Sequence, residues 1–256
     1  MRIAVLIKQV PGSESSLPIN STSTWIEESN VTYTMNPPDN YALEEALLIK
    51  ERMGSGEVVI ISMGPDRVQK VIREGLAKGA DRGIFIKEDE PLMTDPLSVA
   101  KTISKAIEYE KFDLIFTGLQ SDDVGMGQTG VLIGEILGMS TATLAVETEV
   151  SDKKIKIKRE LESGWFQWVS LPVPASVSIQ SGLNIPRYPS LKGIMGAKKK
   201  EVKTVSANEY SVSGTHQNIE KIFMPQTSKH TEIIEGDVKT TVSKIIEILK
   251  TDIKAI

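Results

Sequence analysis

Four short apolar runs, each followed by a helical pattern, fill the first 140 residues, and this order leaves few folds open. Residues 3–7 (IAVLI) are apolar at every position, as a strand covered on both faces requires. EVVIIS (57–62), GIFIK (83–87) and DLIFTG (113–118) read the same way. Between them, MNPPDNYALEEALLIKERMG reads as a helix, with Asn36 placed to cap it, Pro37 and Pro38 in a first turn that tolerates proline, and Gly54 to end it. GPDRVQKVIREGLAKGA predicts a second helix, TDPLSVAKTISKAIEYEK a third beginning at Asp95 and Pro96, and GQTGVLIGEILGM a fourth. Strands separated by helices must be joined by crossovers, so the expected fold is α/β with a mainly parallel, doubly wound sheet.

Beyond residue 140 the pattern changes. TLAVETEV, KIKIKREL, WFQWVSL and ASVSIQ are strand-like with no helix between them, and predict an antiparallel extension of the sheet. PGSESSLPINSTSTW, near the N-terminus, is too polar to pack alone and reads as a loop or small ribbon. From about residue 190 to 240 few segments look buried, which is unusual in a compact domain and predicts an arm laid on a partner. VSKIIEILKTDIKAI then predicts a last amphipathic helix.

GLQSDDVGMGQTG (118–130) carries a literal Gly-x-Gly-x-x-Gly. A dinucleotide fingerprint sits in a tight turn directly after the strand, usually the first strand of the fold. Here Gly125 comes seven positions after Gly118, and the strand is the fourth, so the match is weak evidence for NAD. The position still matters, because ligands of open parallel sheets bind outside the carboxyl ends of strands. Gly125, Gly127 and Gly130 let the backbone approach a ligand, and Gln128 and Thr129 open a helix whose free amides attract phosphate. Asp122 and Asp123 would repel a phosphate and are expected to face ribose, a counter-ion or solvent. A flexible glycine loop with a helix start is the plainer alternative.

SMGPDR (62–67) lies at another strand's carboxyl end and could line the same crevice, although a turn starting a helix explains it well enough. Glu44, Glu45 and the charges around Arg159 read as solvated faces, and Trp25, Trp165 and Trp168 as core or interface anchors. The run Lys198, Lys199 and Lys200 follows an apolar segment framed by Pro and Gly and suggests docking. The chain has no cysteine and two histidines, His216 and His230, which excludes thiolate chemistry and a histidine-rich metal centre. No Walker lysine motif is present, so little points to an enzyme in its own right. A formal net charge of -4 argues against general nucleic-acid binding. No apolar run approaches the roughly 20 residues that span a bilayer, and a soluble, cytoplasmic protein is expected without direct membrane insertion.

MRIAVLIKQV, MNPPDNYALEEAL, SMGPDR, LAKGADRGI, GLQSDDVGMGQTG, KRELESG and NIPRYPSLKGIMGAKKK, in this order and spacing, resemble the beta subunit of electron transfer flavoprotein. The resemblance runs to about residue 203, and IEGD before a final helix is similar to some members. It implies a fold like that of the adenine nucleotide alpha-hydrolases. Residues 1–186 would form the nucleotide-binding domain, 187–200 a partner-recognition loop, and 201–256 an arm and helix on the partner subunit. It also implies a heterodimer whose alpha subunit holds most of a redox-active FAD, shared at the interface, while the beta subunit buries a structural AMP. Electrons would pass from acyl-CoA or other flavin dehydrogenases to a quinone oxidoreductase.

Carried over position by position, the AMP contacts would be Leu6, then Asn36, Pro37, Pro38 and Asp39, then Met63. The loop after the fourth strand would add Gly118, Leu119, Gln120, Ser121, Asp122 and Asp123, and then Val124, Gly125, Met126, Gly127, Gln128 and Thr129. The recognition loop would use Leu191 as its anchor, with Arg187, Tyr188, Ile194, Met195 and the three lysines around it. A branch of the family that bifurcates electrons has a second FAD in place of AMP and a loop reading Asp-Gly-Asp-Thr-Ala-Gln-Val-Gly-Pro. The corresponding stretch here (123–131) reads Asp-Val-Gly-Met-Gly-Gln-Thr-Gly-Val and resembles the AMP-binding type. A beta subunit of that bifurcating branch, with NADH oxidised at the second FAD, is the first alternative, and a stand-alone nucleotide-binding sensor or hydrolase is the rival from another class.

Overall fold

The computed structural model describes residues 1–89, 95–151, 153–210, 217–225, 231 and 233–253. These fall into two compact units, Met1–Lys221 and Ile222–Ile256. His216 and His230 lie outside the described residues.

In the first unit the chain runs β1 (Arg2–Leu6), β2 (Gln9–Pro11), β3 (Tyr33–Met35), α1 (Pro37–Met53), β4 (Glu57–Gly64), α2 (Gln69–Lys78), β5 (Arg82–Lys87), α3 (Pro96–Ile107), β6 (Leu114–Gly118) and α4 (Thr129–Ile136). It continues through β7 (Ser140–Val150), β8 (Lys154–Glu160), β9 (Phe166–Pro172), β10 (Ala175–Ile179), α5 (Leu191–Ala197) and β11 (Val202–Ser206). One mixed sheet has the order β11-β5-β4-β1-β6-β10-β7-β8-β9, parallel as far as β7 and antiparallel from β7 to β9. β2 and β3 pair as a small antiparallel ribbon, as the polar N-terminal stretch suggested.

Period-two alternation splits each apolar run between two cores. Ile3, Val5, Val58 and Ile60 face α1 and α2, whereas Ala4, Leu6, Val59 and Ile61 join the core under α3 and α4. Helix ends follow local chemistry. Gly54 closes α1 at a φ of 67°, in the left-handed region, and Asp95 caps α3 by accepting from the Leu97 amide at 3.1 Å.

Three elements differ from the sequence reading. β10 is not a hairpin strand but inserts between β6 and β7, parallel to both, and is buried at all five positions. Its serines are tolerated there because Ser176 donates to the Gly130 carbonyl at 2.9 Å and Ser178 accepts from the Leu144 amide at 3.4 Å. Val202–Ser206, expected in an arm on a partner, is an edge strand of the sheet, so the first unit runs past the boundary expected at 186. β7 serves two pairings: Leu144, at a φ of 62°, turns the strand, and its first half pairs with β10 and its second with β8.

The second unit contains α6 (Val238–Thr251), capped by Asp237, which accepts from the Thr240 amide at 2.8 Å. Val238, Val242, Ile245 and Ile246 recur at helical spacing along it and are exposed, as is Ile253 just beyond its end.

Candidate functional site

β1 is the switch point of the parallel sheet. The chain leaves it to build β4 and β5 on one side, then returns to build β6 and β10 on the other. Connections therefore part above the carboxyl ends of β1 and β6, where a crevice must form. A cavity of about 250 Å³ lies there.

Its floor is held by Asp39, buried in the first turn of α1. The Asp39 carboxylate accepts from the Lys8 amide at 2.7 Å, the Gly118 amide at 3.0 Å and the Asn36 side chain at 3.1 Å, joining β1, β6 and α1. Burial pushes its pKa up to about 7, against the pull of those donors. Asn36 does not cap α1. Its amide nitrogen also donates to the Gln120 carbonyl at 3.0 Å, and its oxygen accepts from the Asp122 amide at 3.1 Å, so it moors the glycine loop. Gly118 has no room for a side chain, because a Cβ there would collide with Asp39 Oδ1 and lie 2.7 Å from Pro38 Cβ.

The loop then turns on Gly125 and Gly127, with φ of 62° and 64°. α4 begins at Thr129 after Gln128, which supplies no side-chain cap. Its first-turn amides have no partner within the helix, and Gln128, Thr129 and Gly130 line the cavity. These donors, with a loop that can close tightly, fit the phosphate of a nucleotide. Asp123, expected at ribose, a counter-ion or solvent, pairs with the Lys8 ammonium at 2.7 Å.

Of the residues carried over from the resemblance, Leu6, Asn36, Asp39, Met63, Gly118, Leu119, Gln120 and Ser121 line the cavity. So do Asp123, Val124, Met126, Gly127, Gln128 and Thr129. Pro37, Pro38, Asp122 and Gly125 are not on its wall: the prolines shape the helix start and Gly125 the turn. A second wall is formed by Trp25, Tyr33 and Arg67; the sequence offers SMGPDR, which ends in Arg67, as crevice lining, but gives no such place to Trp25 and Tyr33. Arg67 stacks 3.6 Å from the Tyr33 ring centroid, donates to Gln9 Oε1 at 2.6 Å and pairs with Glu28 at 3.6 Å. Burial raises the Tyr33 phenol to about 12. The ribbon β2–β3, which pairs Tyr33 with Pro11, brings that ring to the crevice.

A family profile for the electron transfer flavoprotein domain matches residues 23–210. The chain is 34% identical over 259 residues to the electron transfer flavoprotein subunit beta of Methylophilus methylotrophus, covering 97% of this chain and 98% of that one. It is 40% identical over 215 residues to the subunit beta of Bradyrhizobium diazoefficiens, covering 84% and 85%, and 33% identical over 254 residues to the mitochondrial one of Arabidopsis thaliana, covering 98% of each. The chain belongs to the electron transfer flavoprotein beta-subunit family.

In this beta subunit the segment after β10 packs on α1 and α2 and divides its residues sharply. Arg187 points inward, to Glu44 and Glu51 of α1. Lys200 also points inward, donating to the Leu76 carbonyl at 3.0 Å and the Ala80 carbonyl at 2.5 Å at the end of α2. These two cations, expected to meet a partner, are thus engaged within the subunit. Tyr188, Leu191, Ile194, Met195, Lys198 and Lys199 remain exposed. Glu44 and Glu45 are buried and not solvated, with Glu45 accepting from Thr148 at 2.6 Å and pairing with Arg52 at 2.9 Å. Arg159 is likewise engaged, donating to the Thr143 carbonyl at 2.9 Å. Trp165 and Trp168 are exposed, with the Lys156 ammonium over the Trp168 ring at 4.3 Å, which leaves the interface half of that expectation.

Proposed function

We propose that this beta subunit binds one AMP in the crevice between β1 and β6 and rests against an alpha subunit that carries FAD. Together they would carry electrons from flavin dehydrogenases, such as acyl-CoA dehydrogenases, to a quinone oxidoreductase in the cytoplasm. The observation that carries the reading is the uncapped start of α4 opening into a small cavity. Amides of that turn would hold the phosphate, and the glycine turns at Gly125 and Gly127 would let the loop close on it. A volume of about 250 Å³ lies below the range of about 300–1,000 Å³ usual for ligand pockets, which favours a mononucleotide over a dinucleotide. FAD, when bound, supplies the redox chemistry; residues of this chain bind, orient and shield.

Two exposed surfaces support assembly. The apolar stripe of α6 needs a cover, which the alpha subunit would provide. Leu191, 83% exposed beside Tyr188 and Met195, is a docking anchor whose burial would contribute roughly 1.5–3 kcal/mol, enough for a transient complex. Lys198 and Lys199 would steer an acidic partner.

The deciding experiment is release of bound nucleotides from the purified two-subunit protein by heat, followed by quantitative mass analysis. One AMP and one FAD per heterodimer are expected. Two FAD, or no adenine mononucleotide, would overturn the assignment of the crevice. Leu191→Ala is expected to slow electron uptake from a dehydrogenase with flavin content unchanged.

A further inference from the structure

The docking segment has no regular structure between the end of β10 and the start of α5, yet its backbone is pinned to α1 by side chains more than 130 residues away in sequence. Arg187 Nε donates to both Glu44 oxygens at 2.9 and 3.1 Å, and its backbone amide reaches Glu44 Oε2 at 3.0 Å. Its two terminal nitrogens reach Glu51 at 2.6 and 3.1 Å. One planar guanidinium therefore bridges two carboxylates about two turns apart on the same face of α1, which fixes its orientation as well as its place. The Asn184 side chain, donating to the Tyr41 carbonyl at 3.0 Å, holds the same segment one turn earlier. The Arg187 hydrogen bond keeps the Glu51 carboxyl below its ordinary value. Immediately after Arg187 the chain reverses face: Tyr188 is 94% exposed and Leu191 83%. Inward and outward groups are separated by a single peptide bond, so the clamp sets where the apolar groups stand.

We infer that Glu44 and Glu51 are positioning residues for electron-donor docking: through Arg187 they hold the 188–195 surface ready before a partner arrives. This rests on the docking role proposed for Leu191. A loop already ordered loses less conformational freedom on binding, so the clamp acts on affinity for the donor and leaves electron transfer within the complex alone. None of the three residues of the clamp touches the cavity.

The test uses the complete two-subunit holoprotein with an acyl-CoA dehydrogenase reduced by its own substrate. Glu51→Lys places a cation against Arg187 at an exposed position, and Glu44→Gln with Glu51→Gln removes both negative charges. KM for the holoprotein as electron acceptor is expected to rise by about three- to tenfold in both. The turnover at saturation should stay within about twofold, with nucleotide and flavin content unchanged. Hydrogen exchange of amides in residues 184–191 should quicken in parallel, and Glu51→Asp should recover much of the KM. A loop that loosens while KM stays at its original value shows the clamp to be structural only and overturns the inference. Leu191→Ala separates the two levels: if it too leaves KM unmoved, the docking surface itself is wrong, whereas if it raises KM and the clamp variants do not, only the clamp falls. Should the buried Glu44→Gln variant fail to assemble, Glu51→Lys alone decides.

Discussion

Lys8 and Asp123 meet across the switch point of the sheet, with Nζ 2.7 Å from Oδ1. Lys8 follows β1 and Asp123 lies in the loop after β6, so the pair bridges the two strands between which the crevice opens. The same ammonium reaches Ser121 Oγ at 3.3 Å. A loop containing two left-handed glycines has many conformations to lose, and this cation ties it at its middle.

Lys8→Ala should therefore loosen the loop without unfolding the subunit. The lysine side chain is 44% exposed, and an ion pair of that kind contributes at most about 1 kcal/mol to stability. AMP retention should suffer more, weakening by about three- to tenfold in equilibrium dialysis. Dialysis at unchanged affinity would remove Lys8 from the binding apparatus.

Gly130→Ala tests the opposite wall. A Cβ at that position would lie 2.6 Å from Thr117 Oγ1, and Thr117 is on β6, so α4 must move away from the sheet. Overpacking of this kind costs about 1–3 kcal/mol. A lower denaturation midpoint is expected, together with loss of AMP, because the same displacement moves the amides proposed to hold its phosphate.

Asp39 should titrate unlike an ordinary carboxyl. Its folded-state value is raised to about 7, above an unfolded value near 4. Between those values the folded chain binds the extra proton, so the contribution of this group to stability is complete below the unfolded value and is lost as pH rises through about 7. Carbon NMR of the Asp39 carboxyl should show a midpoint well above those of exposed aspartates. Asp39→Asn should remove this pH dependence, and should also destabilise by about 1–3 kcal/mol, since its amide nitrogen would face the Lys8 amide, donor to donor.

The parallel half of the sheet was legible because β1, β4, β5 and β6 are apolar on both faces, and the crevice followed from their order. What escaped did so for lack of a local signal. Glu44 and Glu45 look solvated on a helix read alone, because Arg187, Thr148 and Asn184 come to them from more than 100 residues away. VKTVS shows little apolar character since, as an edge strand, it buries only Val205. β10 was grouped with the hairpins because its Ala-Ser-Val-Ser-Ile alternation resembles a half-exposed strand, whereas its serines are buried with partners. Asn36 sits where a cap would, and only the fold brings Gln120 and Asp122 within its reach. Trp25 and Tyr33 lie in a polar stretch with no periodicity to mark them as cavity wall.

Acid should act first on the end of the sheet remote from the crevice. There Glu57 accepts from Arg82 at 2.8 Å and Arg2 at 3.1 Å, and Glu110 accepts from Arg82 at 2.6 Å and Arg2 at 2.9 Å. The four charges join the start of β1, β4 and β5 to the turn before β6. The hydrogen bond from Arg82 holds the Glu57 carboxyl below its ordinary value. A lowered carboxyl stabilises the fold above its unfolded value, near 4.3, and that contribution is lost as pH falls through the folded value. The sign is opposite to that of Asp39, and the two windows separate: Asp39 governs the slope from about 4 to 7, the ring the slope below about 4.3. Urea denaturation midpoints measured from pH 7 down to about 3 should fall steeply only in the lower window. Arg82→Gln should flatten that fall while leaving the upper window and nucleotide content as they were. An equally steep acid limb in the variant would show that other carboxylates drive it.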